Sequence, residues 1–184
     1  VSQNAYYHLA ECYIKSDRKQ EALNAFRNAK QMDFNQDIKK DAWLNYAKLS
    51  YEIGNPYNSV AEVIQEYLSA YPDDIDQSEV RDYLISAYLI ANDYQGALEY
   101  LKNESTDDND TYHKVAFLYG SQLFKEQQYS KAIENFNLSI ENASNSVYKA
   151  RSIFWKSESF YRLKKYEEGL SGFQKFLELP EAKE

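Results

Sequence analysis

Apolar residues recur along much of the chain at spacings of three and four, which is the period of one face of an α-helix. Leu9, Ala10 and Tyr13 show this spacing near the start. A second pattern, a small residue followed four positions later by a large apolar one, occurs five times: Ala22 and Phe26, Val60 and Ile64, Ala97 and Leu101, Ala132 and Phe136, and Gly169 and Phe173. The small residues are 38, 37, 35 and 37 positions apart, so the sequence predicts an internal repeat.

Each repeat is predicted to be a pair of helices joined by a tight turn. Turn-forming residues lie between the two helical patterns of every repeat: Ser16-Asp17, Gly54-Asn55-Pro56, Asn92-Asp93, Gln127-Gln128 and Leu163-Lys164-Lys165. In the second repeat, Asn55 is predicted to cap the second helix and Pro56 to be its first residue. The repeats are assigned to residues 3–36, 41–74, 78–111, 113–146 and 150–183.

The small residues are expected to be buried where paired helices cross, because a large side chain there would push the two helix axes apart. The pairing of small and large residues at fixed spacing resembles the tetratricopeptide repeat family over nearly the full length of the chain. Four of the small residues also follow a tyrosine by three positions: Tyr57, Tyr94, Tyr129 and Tyr166. The resemblance implies an all-α fold, an α-α superhelix (solenoid) of about five antiparallel helix pairs in one array over residues 1–184.

The length of the repeats indicates which members of the family the chain resembles. The usual unit of the family has about 34 residues, whereas the spacings here are 35 to 38. Together with phrases such as Ala70-Tyr71-Pro72, this spacing is similar to looser bacterial members of the family, including those of the cell envelope. We therefore expect a soluble bacterial protein of the periplasm, cell envelope or cytoplasm.

Composition and charge exclude several classes of partner. The chain has 21 Lys and Arg against 29 Asp and Glu, a net charge of −8, which disfavours nucleic acids and anionic lipid surfaces. No apolar run approaches the roughly 20 residues that cross a bilayer. Cys12 is the single cysteine, so an internal disulfide is excluded, and its apolar neighbours predict a small buried thiol.

Candidate catalytic and metal-binding chemistry is sparse. His8 and His113 lie in separate repeats, and Cys12 has no second cysteine beside it, so no metal site is expected. The acidic run at residues 107–110 lacks the central glycine and final glutamate of an EF-hand loop, and is interpreted as a loop that caps the next helix. With no Gly-rich phosphate loop and no nucleophile motif, we expect no cofactor and no enzymatic activity.

A binding surface is predicted on the first helices of the repeats, which line the inner curve of such an array. Stepping by the repeat gives one strip, and a second strip lies four residues further on: Tyr7, Asn45, Asp82, Phe117 and Phe154, then Glu11, Leu49, Ser86, Ser121 and Glu158. Aromatic rings with acidic spots suit a peptide or protein partner that carries apolar anchors and basic charge. The alternative is that some of these rings belong to the core.

Two other functions are compatible with the sequence. The repeats could form a structural module that self-associates, or a non-catalytic accessory region of a larger enzyme or envelope-assembly protein. The last repeat supplies apolar residues that only residues 180–184 follow: Phe160, Tyr161, Phe173, Phe176 and Leu177. Because arrays normally end in a polar capping element, we expect the chain to be a fragment whose C-terminal face is covered by a further unit or by a second copy.

Overall fold

Ten α-helices make up most of the computed structural model, which describes residues 1–73, 77–103, 109–141 and 146–183. No strand occurs in these ranges, so the predicted all-α fold is confirmed. Residues 107 and 108 of the predicted acidic loop lie outside the described residues. The helices are α1 Ser2–Lys15, α2 Lys19–Lys30, α3 Gln36–Ile53, α4 Val60–Ala70, α5 Gln77–Ile90, α6 Tyr94–Asn103, α7 Asn109–Lys125, α8 Tyr129–Ile140, α9 Ser146–Arg162 and α10 Tyr166–Leu177, followed by a 3₁₀ helix at Pro180–Lys183.

The chain divides into two compact units, an N-terminal unit of Val1–Ala91 and a C-terminal unit of Asn92–Glu184. The division falls between α5 and α6, the two helices assigned to the third repeat. Within the N-terminal unit, α2 packs against α1 and α3. Within the C-terminal unit, α8 packs in the same way against α7 and α9. The single array over residues 1–184 and its five repeat boundaries stay predictions.

The turns inside the repeats share one backbone device, a residue in the left-handed region. Four residues that are not glycine have φ values of 56° to 62°, each five positions before the small residue of its repeat: Asp17, Asn92, Gln127 and Lys164. At the last of these, the amide of Lys164 donates to the carbonyl of Tyr161 and that of Lys165 to Phe160, both at 2.9 Å. This Schellman arrangement ends one helix, and Lys165 is the N-cap residue of the next helix, without a capping hydrogen bond from its side chain.

The second repeat departs from this pattern. Its second helix, α4, begins at Val60 itself, whereas the other second helices begin three positions before the small residue. Ser59 is the N-cap, and its hydroxyl and the Glu62 carboxylate each accept a backbone amide of the other residue at 3.2 Å. The prediction that Asn55 caps this helix and Pro56 begins it is wrong, because this reciprocal capping box satisfies two helix-end donors further along the chain.

Four of the five small residues are buried as predicted: Ala22, Ala97, Ala132 and Gly169. Val60 is only half-buried, since it is the first residue of α4 and lies at the end of the helix contact. In the C-terminal unit, Ala132 and Phe136 are both fully inaccessible. Gly120 of α7 lies against the Phe136 ring, where a Cβ atom would be 2.7 Å from Cε1. The paired helices α7 and α8 therefore approach closely at the small residue Ala132.

Cys12 is exposed, so the prediction of a buried thiol is wrong. The residues that α1 buries are Gln3 and Ala10. Cys12 lies two positions after Ala10, a rotation of roughly 200° around the helix, and therefore on the opposite face. An apolar neighbourhood in sequence did not indicate which face of α1 packs.

The two buried helical glycines are expected to respond oppositely to alanine. At Gly169 the nearest atom to a new Cβ is the Ser157 carbonyl oxygen at 3.4 Å, so Gly169→Ala should raise the free energy of unfolding by about 0.5–1 kcal/mol through helix propensity. At Gly120 the clash with Phe136 should outweigh that gain, and Gly120→Ala should lower it by about 1–3 kcal/mol. Urea unfolding followed by circular dichroism measures both; equal effects would contradict the close approach of α7 and α8.

Candidate functional site

In the N-terminal unit, three predicted binding residues line one surface depression of about 310 Å³: Tyr7, Glu11 and Asn45. Ile14, Lys15 and Phe26 complete its lining. Tyr7 and Asn45 occupy equivalent positions on α1 and α3, one repeat apart, so the repeat spacing brings them to the same surface. The depression thus has an aromatic wall, an aliphatic side chain and charges of both signs.

A carboxylate joins these residues. Tyr7 Oη donates to Asp41 Oδ2 at 2.5 Å, and Asn45 Nδ2 donates to the same oxygen at 2.9 Å. Partial burial and the neighbouring carboxylate of Asp41 hold the pKa of Tyr7 well above its ordinary value, so its hydroxyl remains a neutral donor. Asp41 was not among the predicted residues; its place four positions before Asn45, one helical turn away, is the sequence signal that could have identified it.

The remaining predicted residues of the N-terminal unit differ in accessibility. Leu49 is buried, with 5% of its surface exposed, and so contributes to the core rather than to a surface strip. On α5, Asp82 is exposed and Ser86 is half-buried. The structure therefore brings together Tyr7, Glu11 and Asn45 of the predicted set, and they lie at one end of this unit's strip.

In the C-terminal unit, the two predicted phenylalanines pack within the protein. The ring of Phe117 lies 6.2 Å from Phe136 and 5.7 Å from Tyr148, measured between centroids. The ring of Phe154 lies 5.7 Å from Phe173 and 5.3 Å from Phe176. Both are half-buried, which supports the alternative that these rings serve the core. Replacing them by alanine would remove core packing as well as any binding contact.

A second concave site, of about 510 Å³, lies beside the predicted Ser121 in the C-terminal unit. We call it the aromatic pocket; its lining is Ser121, Phe124, Lys125, Gln127, Tyr129, Trp155 and Arg162. The ring of Phe124 lies 5.0 Å from Trp155 and 5.3 Å from Tyr129. Lys125 and Arg162 add positive charge, and Arg162 donates to the predicted Glu158 at 2.8 Å. The sequence analysis did not predict these rings, because the rings lie between the positions that stepping by the repeat selects.

The repeat architecture is matched by known proteins. Residues 4–31, which span most of α1 and α2, match the tetratricopeptide repeat family. The helix pair of α1 and α2 thus matches one tetratricopeptide repeat. The fold of the chain is similar to MamA of AMB-1, with a TM-score of 0.50 and 20% identity over 97% of this chain and 92% of that one. A second MamA structure gives a TM-score of 0.50 and 18% identity over 96% and 91%.

These similarities concern the fold. Because the identity is only 18% to 20%, no binding-site residue of MamA is transferred to this chain. No curated protein sequence is significantly similar to the chain. The family resemblance expected from the spacing of small and large residues is confirmed.

A buried glutamine fixes the connection between α2 and α3 of the repeat protein. Gln3 is 2% exposed; its Nε2 donates to the carbonyls of Met32 at 2.7 Å and Asn35 at 3.1 Å, and its Oε1 accepts the Asn35 amide at 2.8 Å. His113 occupies the equivalent position, nineteen residues before its small residue, and its Nδ1 lies 2.9 Å from the carbonyl of Leu138. Each side chain thus connects the first helix of its repeat to the C-terminal end of the second helix.

Two classes of site find no support in the described ranges. No group of three or more His, Cys, Asp or Glu side chains there could hold a metal ion. None of the helices described is long and apolar enough to cross a membrane. The carboxylate of Glu11 beside the candidate surface is engaged by a neighbouring side chain, with its Oε2 2.7 Å from Nδ1 of His8.

Removing the Gln3 amide is expected to destabilise the N-terminal unit. Gln3→Leu keeps the apolar stem but leaves the Asn35 amide and the Met32 carbonyl without their buried partner, which should lower the free energy of unfolding by about 1–3 kcal/mol. The control is Gln20→Leu, at an exposed position on α2. Urea unfolding compares the two; equal stability of both variants would show that water replaces the Gln3 contacts at no loss.

Proposed function

We propose that this chain is a non-catalytic scaffold that binds a peptide or protein partner on the strips of its first helices. The observation that carries the proposal is the joining of Tyr7 and Asn45, from successive first helices, through one carboxylate oxygen of Asp41. This network holds two strip positions in a fixed geometry beside an accessible depression. Fixed polar groups next to apolar walls favour peptide binding, because less conformational freedom is lost when the peptide binds.

The chemistry of the depression favours a partner with apolar anchors and basic charge. Tyr7 and Phe26, 5.9 Å apart between ring centroids in an edge-on arrangement, offer an apolar wall. Asp41 and Glu11 supply carboxylates, of which Glu11 is partly accessible and paired with His8. A lysine or arginine of the partner next to an apolar side chain would satisfy both features.

A non-catalytic role is supported by the causes of two shifted pKa values in the N-terminal unit. The pKa of Tyr7 is raised by burial and by the Asp41 carboxylate, which makes its hydroxyl a structural donor rather than a base. The exposed carboxyl of Glu79 has a lowered pKa because it accepts hydrogen bonds from Lys48 and Tyr83. The causes are structural in both cases: burial and the Asp41 carboxylate for Tyr7, and the hydrogen bonds from Lys48 and Tyr83 for Glu79.

The last helix offers a second candidate role, self-association through the C-terminal face. Leu170 and Leu177 of α10 are 55% and 67% exposed, and Tyr161 and Tyr166 are exposed beside them. Covering these side chains by another unit or a second copy would bury apolar surface. This role would be favoured if the mass of the wild type rose with protein concentration and the mass of the Leu177→Ala variant did not.

Selection of binding peptides from a random display library tests the scaffold proposal. We expect enrichment of sequences that combine aromatic or branched apolar residues with Lys or Arg. Glu11→Lys should weaken the selected peptides about tenfold, or about 1.4 kcal/mol, because it reverses the charge at the depression.

The matched control for that experiment is Glu99→Lys, an exposed glutamate on α6 that accepts from Gln95 at 2.9 Å. It makes the same change of charge away from the depression and should leave affinity unchanged. Selection of acidic peptides, or an equal loss in both variants, would contradict the assignment of the site.

A further inference from the structure

Phe34 is the most exposed aromatic residue in the described part of the chain, with 81% of its surface accessible. It lies in the connection between α2 and α3, inside the N-terminal unit. Acidic residues flank it: Asp33 precedes it directly, and Asp37 follows in the first turn of α3. We call Phe34 with these two carboxylates the Phe34 knob.

The backbone that carries the knob is fixed. Buried Gln3 holds the carbonyl of Met32 and both backbone groups of Asn35, on either side of Phe34. Asn35 in turn caps α3, its Oδ1 accepting from the amides of Asp37 and Ile38. Single exposed apolar residues are ordinary on protein surfaces, but a held position reduces the conformational freedom that a binding contact must remove.

The aromatic pocket of the C-terminal unit has the complementary properties. Its walls of Phe124, Tyr129 and Trp155 can surround a phenyl ring in edge-on or offset contact, and its volume of about 510 Å³ admits one. Lys125 and Arg162 lie on its lining, opposite in charge to Asp33 and Asp37. Arg162 forms an ion pair with Glu158, and Asp33 forms one with Lys39. The ammonium of Lys125 has no ion pair among the residues described.

We propose that the Phe34 knob of one copy of this chain docks in the aromatic pocket of a second copy. The apolar ring would be covered by three rings, and the two carboxylates would face Lys125 and Arg162. Knob and pocket are different surfaces, so a single contact leaves the pocket of one copy and the knob of the other free, and further copies can add to the pair.

This contact is distinct from the depression of the N-terminal unit and from the exposed leucines of α10. Its only overlap with the predicted strips is Ser121, which lines the aromatic pocket. A partner bound on the strip of the C-terminal unit would therefore compete with self-association. The inference does not depend on the scaffold function, since either could hold without the other.

Sedimentation velocity over a range of protein concentrations tests the contact. The wild-type mass should rise with concentration and fall again as salt screens the charges. Phe34→Ala and the double variant Lys125→Glu/Arg162→Glu should each raise the dissociation constant at least about tenfold. Controls are Leu177→Ala, for the exposed face of α10, and Lys131→Glu/Arg151→Glu, which reverses two exposed charges outside the pocket; both should associate as the wild type does.

Mixing the two defective variants gives the decisive result. Phe34→Ala keeps its pocket, and Lys125→Glu/Arg162→Glu keeps its knob, so an equimolar mixture should form a dimer that cannot extend. Circular dichroism melting confirms that each variant is folded. A wild type that stays monomeric, a Phe34→Ala variant that associates normally, or a mixture that stays monomeric would overturn the proposal. Loss of association in Leu177→Ala alone would assign it to the α10 face instead.

Discussion

The close approach of paired helices at a small residue is the constraint on which the rest of the structure depends. Ala132 and Gly120 bring α8 and α7 together, and the fully buried Phe136 fills the space beside them. Side chains interdigitate in this way only when both helices keep a fixed register. That register decides which residues of the first helix point outward, and hence where a binding strip can be.

The turns supply the other half of the geometry. A residue with left-handed backbone angles, such as Lys164, ends one helix, and the next residue, Lys165, is the N-cap residue of the following helix. The chain therefore reverses over three residues. In the second repeat, the capping box at Ser59 begins α4 later, yet Val63 and Ile64 still reach the core. The later start of α4 therefore does not remove these two side chains from the core.

Much of this was available from the sequence, because spacing by the repeat encodes both the crossings and the equivalence of Tyr7 with Asn45. What spacing could not give was the packing of individual rings and the partners of polar groups. Phe117 and Phe154 turn toward neighbouring rings, and Gln3 acts through carbonyls that lie far away in sequence. Such contacts follow from the three-dimensional arrangement of helices and leave no periodic signal. The aromatic pocket was missed for the same reason.

The size limit at the crossing is tested most directly by the free energy of unfolding of Ala132→Leu, measured in urea beside Glu134→Leu on the exposed face of the same helix. Overpacking at the buried position should lower the free energy by about 1–3 kcal/mol. The exposed control should stay within about 0.5 kcal/mol of the wild type. An Ala132→Leu variant as stable as the wild type would contradict the claim that close helix approach governs this structure.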